Sequence, residues 1–328
     1  MRARYNWTQI RNTCPEFIPT EWDVVLAIIA AIGFLMSWAL VYRFRTQLKG
    51  SVFLFSLAII DLMCCLHYEY NYFLKSVAIF YRSDFMADFR THAMGQVKMI
   101  EEFGNIFIPL LVFLIVLEKF LWTCSSRTRE TWRYLTVDSN KYMVTVLTAL
   151  YGMAAAVVMN WNLLLANAHF CDVLLLPLPF KQPFFRFLQT VLIPLVSFLL
   201  APTTFVLALV TLCRISRVGE GEKPANQEEI MLANIGSDNP KLTTGKVKRS
   251  ILCMLAVYFL FMVRGFCWFV YMNPRTATIS HEIRNSRIMR SWSYDFMNVV
   301  FSGSRMILYY VFCRKDLVVD YPPRALGV

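Results

Sequence analysis

Residues 51–73 read SVFLFSLAIIDLMCCLHYEYNYF, an almost unbroken apolar run with one carboxylate, Asp61, near its middle and another, Glu69, near its end. A membrane-crossing helix needs roughly 20 such residues, because the hydrocarbon layer is about 30 Å thick and a helix rises about 1.5 Å per residue. The run is long enough. It lacks the residue-by-residue alternation of a barrel strand, and a helix satisfies its own backbone polar groups within lipid. Six further stretches have the same character: Trp22 to Tyr42, Val97 to Trp122, Tyr142 to Leu165, Phe184 to Leu212, Ile251 to Met272 and Trp292 to Phe312. The expected fold is therefore all-α, a seven-transmembrane helix bundle spanning 22–313.

Composition agrees with this expectation. Of 328 residues, 57% are hydrophobic and only 17% charged. A soluble domain usually carries about 25% charge, so disorder, a disulfide-stapled secreted module and an ordinary soluble enzyme are all disfavoured. Most of the nine cysteines lie in or beside apolar stretches, where a thiol behaves as a small hydrophobe; Cys14 and Cys171 fall in loop-like sequence. The net charge of +11 is read as basic loops facing a cytoplasm, since no nucleic-acid motif interrupts the chain.

Orientation follows from the flanks of the first span. Arg11 precedes it, whereas Arg43, Arg45 and Lys49 follow it closely. The N-terminal tail, 1–21, is thus expected outside and the tail 314–328 in the cytoplasm, with 18 Lys and Arg on the inner side against 13 on the outer, counting Lys119 inward and Lys98 and Arg186 outward at the span ends. The first twenty residues have no apolar signal core, so the first span itself directs insertion. Asn6-Trp7-Thr8 is a glycosylation sequon in the tail placed outside. The longest inner segment, about 214–249, reads as a loop rich in Gly, Glu, Asn and Ser. No internal repeat of the transporter kind is visible.

The chain carries Leu57-Ala58-Ile59-Ile60-Asp61-Leu62 after the short basic turn Arg45-Thr46-Gln47-Leu48. Further on come Leu117-Glu118-Lys119-Phe120 at the close of the third span, Pro194 in the fifth, and Ser302 to Tyr310 followed by Cys313-Arg314-Lys315. In this order the landmarks resemble those of rhodopsin-like G-protein-coupled receptors, whose second helix carries Leu-Ala-x-x-Asp and whose third ends in Asp-Arg-Tyr. The resemblance covers essentially the whole chain, and its flavour is similar to nematode peptide or chemosensory receptors. The departures mark a divergent member. Gly33 or Phe34 stands where the family has Asn, the sixth span offers Phe259, Val263 and Gly265 in place of Cys-Trp-x-Pro, and Arg305-Met306-Ile307-Leu308-Tyr309 replaces Asn-Pro-x-x-Tyr.

What the resemblance implies is a plasma-membrane receptor that passes the binding of an extracellular peptide or small cationic molecule to a heterotrimeric G protein, with no cofactor and no metal. Asp61, Arg305 and Tyr309 would form the intramembrane switch. Asp61 and Arg305 are opposite charges that both need partners within apolar surroundings, so a buried pair is expected, as a switch or as packing. Glu101 matches the place of the amine-binding carboxylate in the family. It is expected either to meet a ligand, with Glu102, Arg264 and Asp295, or to pair internally with Arg264. Glu118, Lys119 and Phe120, with Lys246, Lys248 and Arg249, would contact the G protein. Glu118 and Lys119 are expected to pair with each other at rest, or simply to mark the membrane boundary. The family's outer disulfide has no cysteine between Asp88 and Asn105, so Cys171 is expected with Cys14, with Cys267 or free. Beyond lipid and these partners, a transporter or channel using the same charges, or a non-signalling scaffold, remains the alternative.

Enzyme signatures do not emerge. His281-Glu282 has Asn285 in place of the second zinc histidine, and Gly219-Glu220-Gly221-Glu222 puts carboxylates where a phosphate cradle needs a base. The orientation has a direct check. Expressed in a glycosylating cell, the wild-type chain should migrate as a larger species that Asn6→Gln converts to the smaller one; identical migration of the two would contradict an outer N-terminal tail.

Overall fold

The computed structural model describes residues 21–43, 52–124, 126–136, 138–165 and 182–219, with separate helical positions at 249, 251–253, 255–256, 259, 296, 299–300, 304–305, 307–308 and 311. Among these residues the regular structure is helical throughout. The chain forms α1 (Glu21–Arg43), α2 (Val52–Glu69), a π-turn at Tyr70–Leu74, α3 (Lys75–Phe80) and α4 (Asp84–Trp122). Two short helices, α5 (Ser126–Thr131) and α6 (Arg133–Thr136), lead to α7 (Asp138–Leu165). After residue 182 come α8 (Pro183–Phe187), a second π-turn at Leu188–Leu192, and α9 (Ile193–Gly219).

Three segments are long and apolar enough to cross a membrane: Val52–Ala78, Gly95–Leu121 and Asn140–Met159. Shorter apolar helices occupy Asp23–Ala39 and Pro202–Arg214. The outer surface has the same character. Along α7, Tyr142, Met143, Val146, Leu147 and Leu150 are all exposed, at the spacing of one helix face. An apolar stripe of that length facing outwards suits hydrocarbon rather than water. Hydroxyls on these helices are satisfied locally: Ser56, Thr145, Thr148, Thr204 and Thr211 each donate to the carbonyl four residues back.

The centre of the packing is α4, which lies against α2, α7 and α9. Its 39 residues begin under Ser83, whose hydroxyl accepts from the Met86 amide, and Asp84 adds a negative charge to the first turn. Thr123 closes it, its amide and hydroxyl both donating to the Phe120 carbonyl. Hydropathy places the third span from Val97, but the helix starts at Asp84. Apolar content marks where a helix enters lipid, whereas the Ser83 cap decides where it begins. The second helical rod likewise outlasts its apolar run, reaching Phe80 through the π-turn. The turn that follows puts Arg82 at φ 49°, in the left-handed region, before the chain reverses into α4.

Two departures concern the segment 214–249. The segment expected as loop from about 214 is helical as far as Gly219, and Arg249 is helical as well. The apolar faces of Leu207, Ala208 and Leu212 continue the α9 pattern against the core and carry the helix into the polar sequence.

Close helix crossings depend on glycine. A Cβ on Gly152 of α7 would stand 3.1 Å from Phe103 Cε2 and 3.6 Å from Phe107 Cβ. Those two rings are stacked at 4.9 Å, so neither moves aside easily. Gly152→Val is expected to lower the stability of the detergent-solubilised chain by about 1–3 kcal/mol, read as a lower thermal midpoint, while Ala154→Val, on the exposed face of α7, has little effect.

Candidate functional site

The charged residues of the bundle gather at separate levels. The deepest is the pair of Asp61 on α2 and Arg305, whose side chains are 0% and 2% exposed. The Asp61 carboxylate meets the Arg305 guanidinium directly. An isolated charge here would cost several kcal/mol, so each residue makes the other tolerable. The contact also ties α2 to the last helical positions of the chain.

A second group lies between α2 and α4. The Glu101 carboxylate is held by the Lys98 ammonium, three residues earlier on α4, and lies 3.4 Å from His67 Nε2. His67 Nδ1 is 3.1 Å from the Val97 carbonyl and its Nε2 is 2.8 Å from Asn71 Nδ2. Nδ1–H donates to the Val97 carbonyl, while Nε2 faces both the Asn71 amide and the Glu101 carboxylate. The expectation that Glu101 pairs with Arg264 concerns a residue outside the described ones; the partners found are Lys98 and His67. Glu102, the next residue of α4, is half-buried.

Nearer the N-terminal end of α4, the Tyr70 hydroxyl donates to the Arg90 carbonyl, and Phe89 packs edge-on to the Tyr70 ring. Arg90 is buried beside Tyr70 and Asp23. Burial pushes its guanidinium down to about 10, and the nearby Tyr70 and Asp23 oppose the fall. Arg90 therefore remains a cation at neutral pH.

A further group, at the C-terminal end of α4, joins α4, α7 and α9. Lys141 Nζ donates to Glu118 Oε1 at 2.7 Å, while Lys119 stands 4.0 Å from the other oxygen. The Glu118–Lys119 pair that the sequence suggested is present at 4.0 Å, and Lys141 reaches across from α7 to make the closer contact with the same carboxylate. Lys141 is 9% exposed and Lys119 28%, so the cation nearer to solvent is Lys119. From α9, the Arg214 guanidinium lies 4.9 Å from the Phe120 ring centroid and donates to Cys124 Sγ at 3.4 Å.

Of the residues singled out by sequence, Asp61 and Arg305 come together, Glu118, Lys119 and Phe120 share one end of α4, and Glu101 joins a group of its own. Asn6, Cys14, Cys171, Arg264, Cys267, Asp295, Tyr309, Lys246 and Lys248 lie outside the described residues. Sequence reasoning passed over His67, Asn71, Lys98, Arg90 and Lys141. Lys98 carried a signal, a base one turn before an acid in a helix. His67 and Lys141 carried none, because their partners are distant in the chain.

The Asp61–Arg305 pair makes a clear prediction. Arg305→Met leaves a buried carboxylate uncompensated and should destabilise the chain by about 3–5 kcal/mol, and the double variant Asp61→Asn/Arg305→Met should recover much of that loss. Thermal unfolding in detergent measures both; a double variant no better than Arg305→Met would show that the pair is not coupled. No protein-family model matches the chain, and no curated protein matches it.

Proposed function

We propose that the chain is a divergent rhodopsin-like receptor of the plasma membrane, its seven crossing helices arranged with the N-terminus outside and the C-terminus in the cytoplasm. Its ligand is an extracellular peptide or small cationic molecule, and its output is nucleotide exchange on a heterotrimeric G protein. The observation that carries this reading is the layering along α4. Outward sits Glu101 with Lys98 and His67; inward sits Glu118 with Lys141 and Lys119. Between them the buried side chains are apolar: Phe107, Ile108, Leu111, Val112 and Ile115.

Such a helix has a polar station at each end and a close-packed middle. A packed apolar layer transmits a shift of one end to the other as a movement of whole helices. A transporter or channel would need polar groups stacked along a continuous route, and on α4 the buried side chains between the two stations are apolar. A ligand acts by binding one helix arrangement more tightly than another, and the contacts across α4 to α2, α7 and α9 are the ones such a shift would remake.

At the inner station, Lys141 makes the closer contact with Glu118, and Lys119, 4.0 Å from the other oxygen, is the more exposed of the two cations and the one we assign to the partner. Lys in place of the family's Arg offers a compact ammonium rather than a planar fork, so the contact it makes is a single charged hydrogen bond. In membranes expressing the chain, Lys119→Ala should reduce ligand-driven guanine-nucleotide exchange about tenfold, the equivalent of one charged hydrogen bond at ~1.5 kcal/mol. Pooled peptides and amines serve as ligands, and surface expression is matched. Undiminished exchange in the variant would remove Lys119 from the coupling surface.

A further inference from the structure

The connection between α4 and α7 has features that the receptor reading does not use. Residues 126–136 read SRTRETWRYLT, with Arg127, Arg129 and Arg133 against the single acid Glu130. The segment is ordered into α5 and α6, and α6 packs against both α4 and α7. Leu135 anchors it, 5% exposed within the main apolar core. Trp132 and Tyr134, by contrast, are 49% and 61% exposed, and Arg127 is exposed with them.

These aromatics stand where an apolar surface ends. The outward stripe of α7 begins at Tyr142 and Met143, directly after the connection. Large aromatic rings with a polar tip favour the headgroup level of a bilayer, where the ring rests on hydrocarbon and the tip remains wet. Exposed to water alone, they would form an uncovered patch. The nearby acid Glu118 is already engaged by Lys141, and Arg214 adds another exposed cation at this end of the bundle. Along the sequence the three arginines of 126–136 outnumber the acids Glu130 and Asp138 beside them.

We propose that the 126–136 connection is a binding surface for anionic phospholipid headgroups, seated at the membrane boundary by Trp132 and Tyr134 and given its charge preference by Arg127, Arg129 and Arg133. Arginine suits a phosphate because its guanidinium can donate two parallel hydrogen bonds. The surface presupposes that α7 crosses the membrane, and it is independent of any coupling partner.

The test uses the full-length chain in nanodiscs holding equal amounts of phosphatidylserine and phosphatidylcholine, with retained lipids counted by native mass spectrometry. The wild-type chain should retain phosphatidylserine in preference, and the preference should fall about fivefold for each arginine replaced in the series to Arg127→Gln/Arg129→Gln/Arg133→Gln. It should also weaken as salt is raised. Equal retention of the two lipids by the wild type overturns the proposal, and so does a preference that survives the triple substitution. Should the triple variant fail to fold, the salt series on the wild-type chain decides: a salt-independent preference overturns the proposal. A triple variant that keeps its lipid preference but loses nucleotide exchange would assign the arginines to a protein partner, overturning the lipid surface and leaving the receptor reading intact. Loss of lipid preference supports the surface whether or not exchange is ever seen.

Discussion

A charge enclosed by apolar helices has to meet its opposite, and in this chain that requirement fixes which helices stand together. Asp61 faces Arg305, Glu101 is met by Lys98 and His67, and Glu118 is taken by Lys141. Hydrophobic burial has little directional preference, so apolar faces alone would let these helices slide and rotate against one another. Pairing sets the register. Once α2 and α4 are joined through His67 and Glu101, and α4 and α7 through Glu118 and Lys141, the close approaches at Gly104 and Gly152 follow at fixed heights.

The pairs also divide the molecule into levels of different stiffness. The middle of α4 is packed by branched and aromatic side chains with few polar atoms, whereas the ends carry half-buried ions with several neighbours. Ion pairs near water exchange partners at small cost, and a packed apolar layer does not. Rearrangement is therefore concentrated at the ends, with the middle acting as a stiff link. The two π-turns, at Tyr70–Leu74 and Leu188–Leu192, lie on the two rods that would have to adjust around it.

Much of the helical layout was legible in the sequence, since runs such as 51–73 admit few other structures. The described helices from Glu21 to Gly219 cover the first five apolar stretches, with ends displaced where a cap or a packed face, rather than hydropathy, decides. Ser83 moved one end outward to Asp84, and the packed face of α9 carried another to Gly219. The need of Asp61 for a cation was also legible, because so few charges lie inside the spans. The partners of Glu101 and Glu118 were not. Choosing among several cations requires the rotation of each helix about its axis, which a π-turn alters and a sequence pattern does not record. The proposed receptor function rests on motif order and on the layering of α4, which share Glu118 and Lys119.

The π-turn at Tyr70–Leu74 has a consequence for chain length as well as for shape. Such a turn holds one residue more than an α-turn within a single revolution, whereas in an unbroken α-helix an extra residue would advance everything beyond it by about 100° around the axis. The sequence pattern of α3, Lys75–Phe80, is thus phased differently from that of α2 although the two form one rod. Loss of a single residue here would let the wide turn close to an ordinary α-turn, with α3 keeping its face and Asp61 and His67 in place. The far end of the second rod can in this way absorb one residue more or less without turning over, and the charged pairs beneath it are undisturbed.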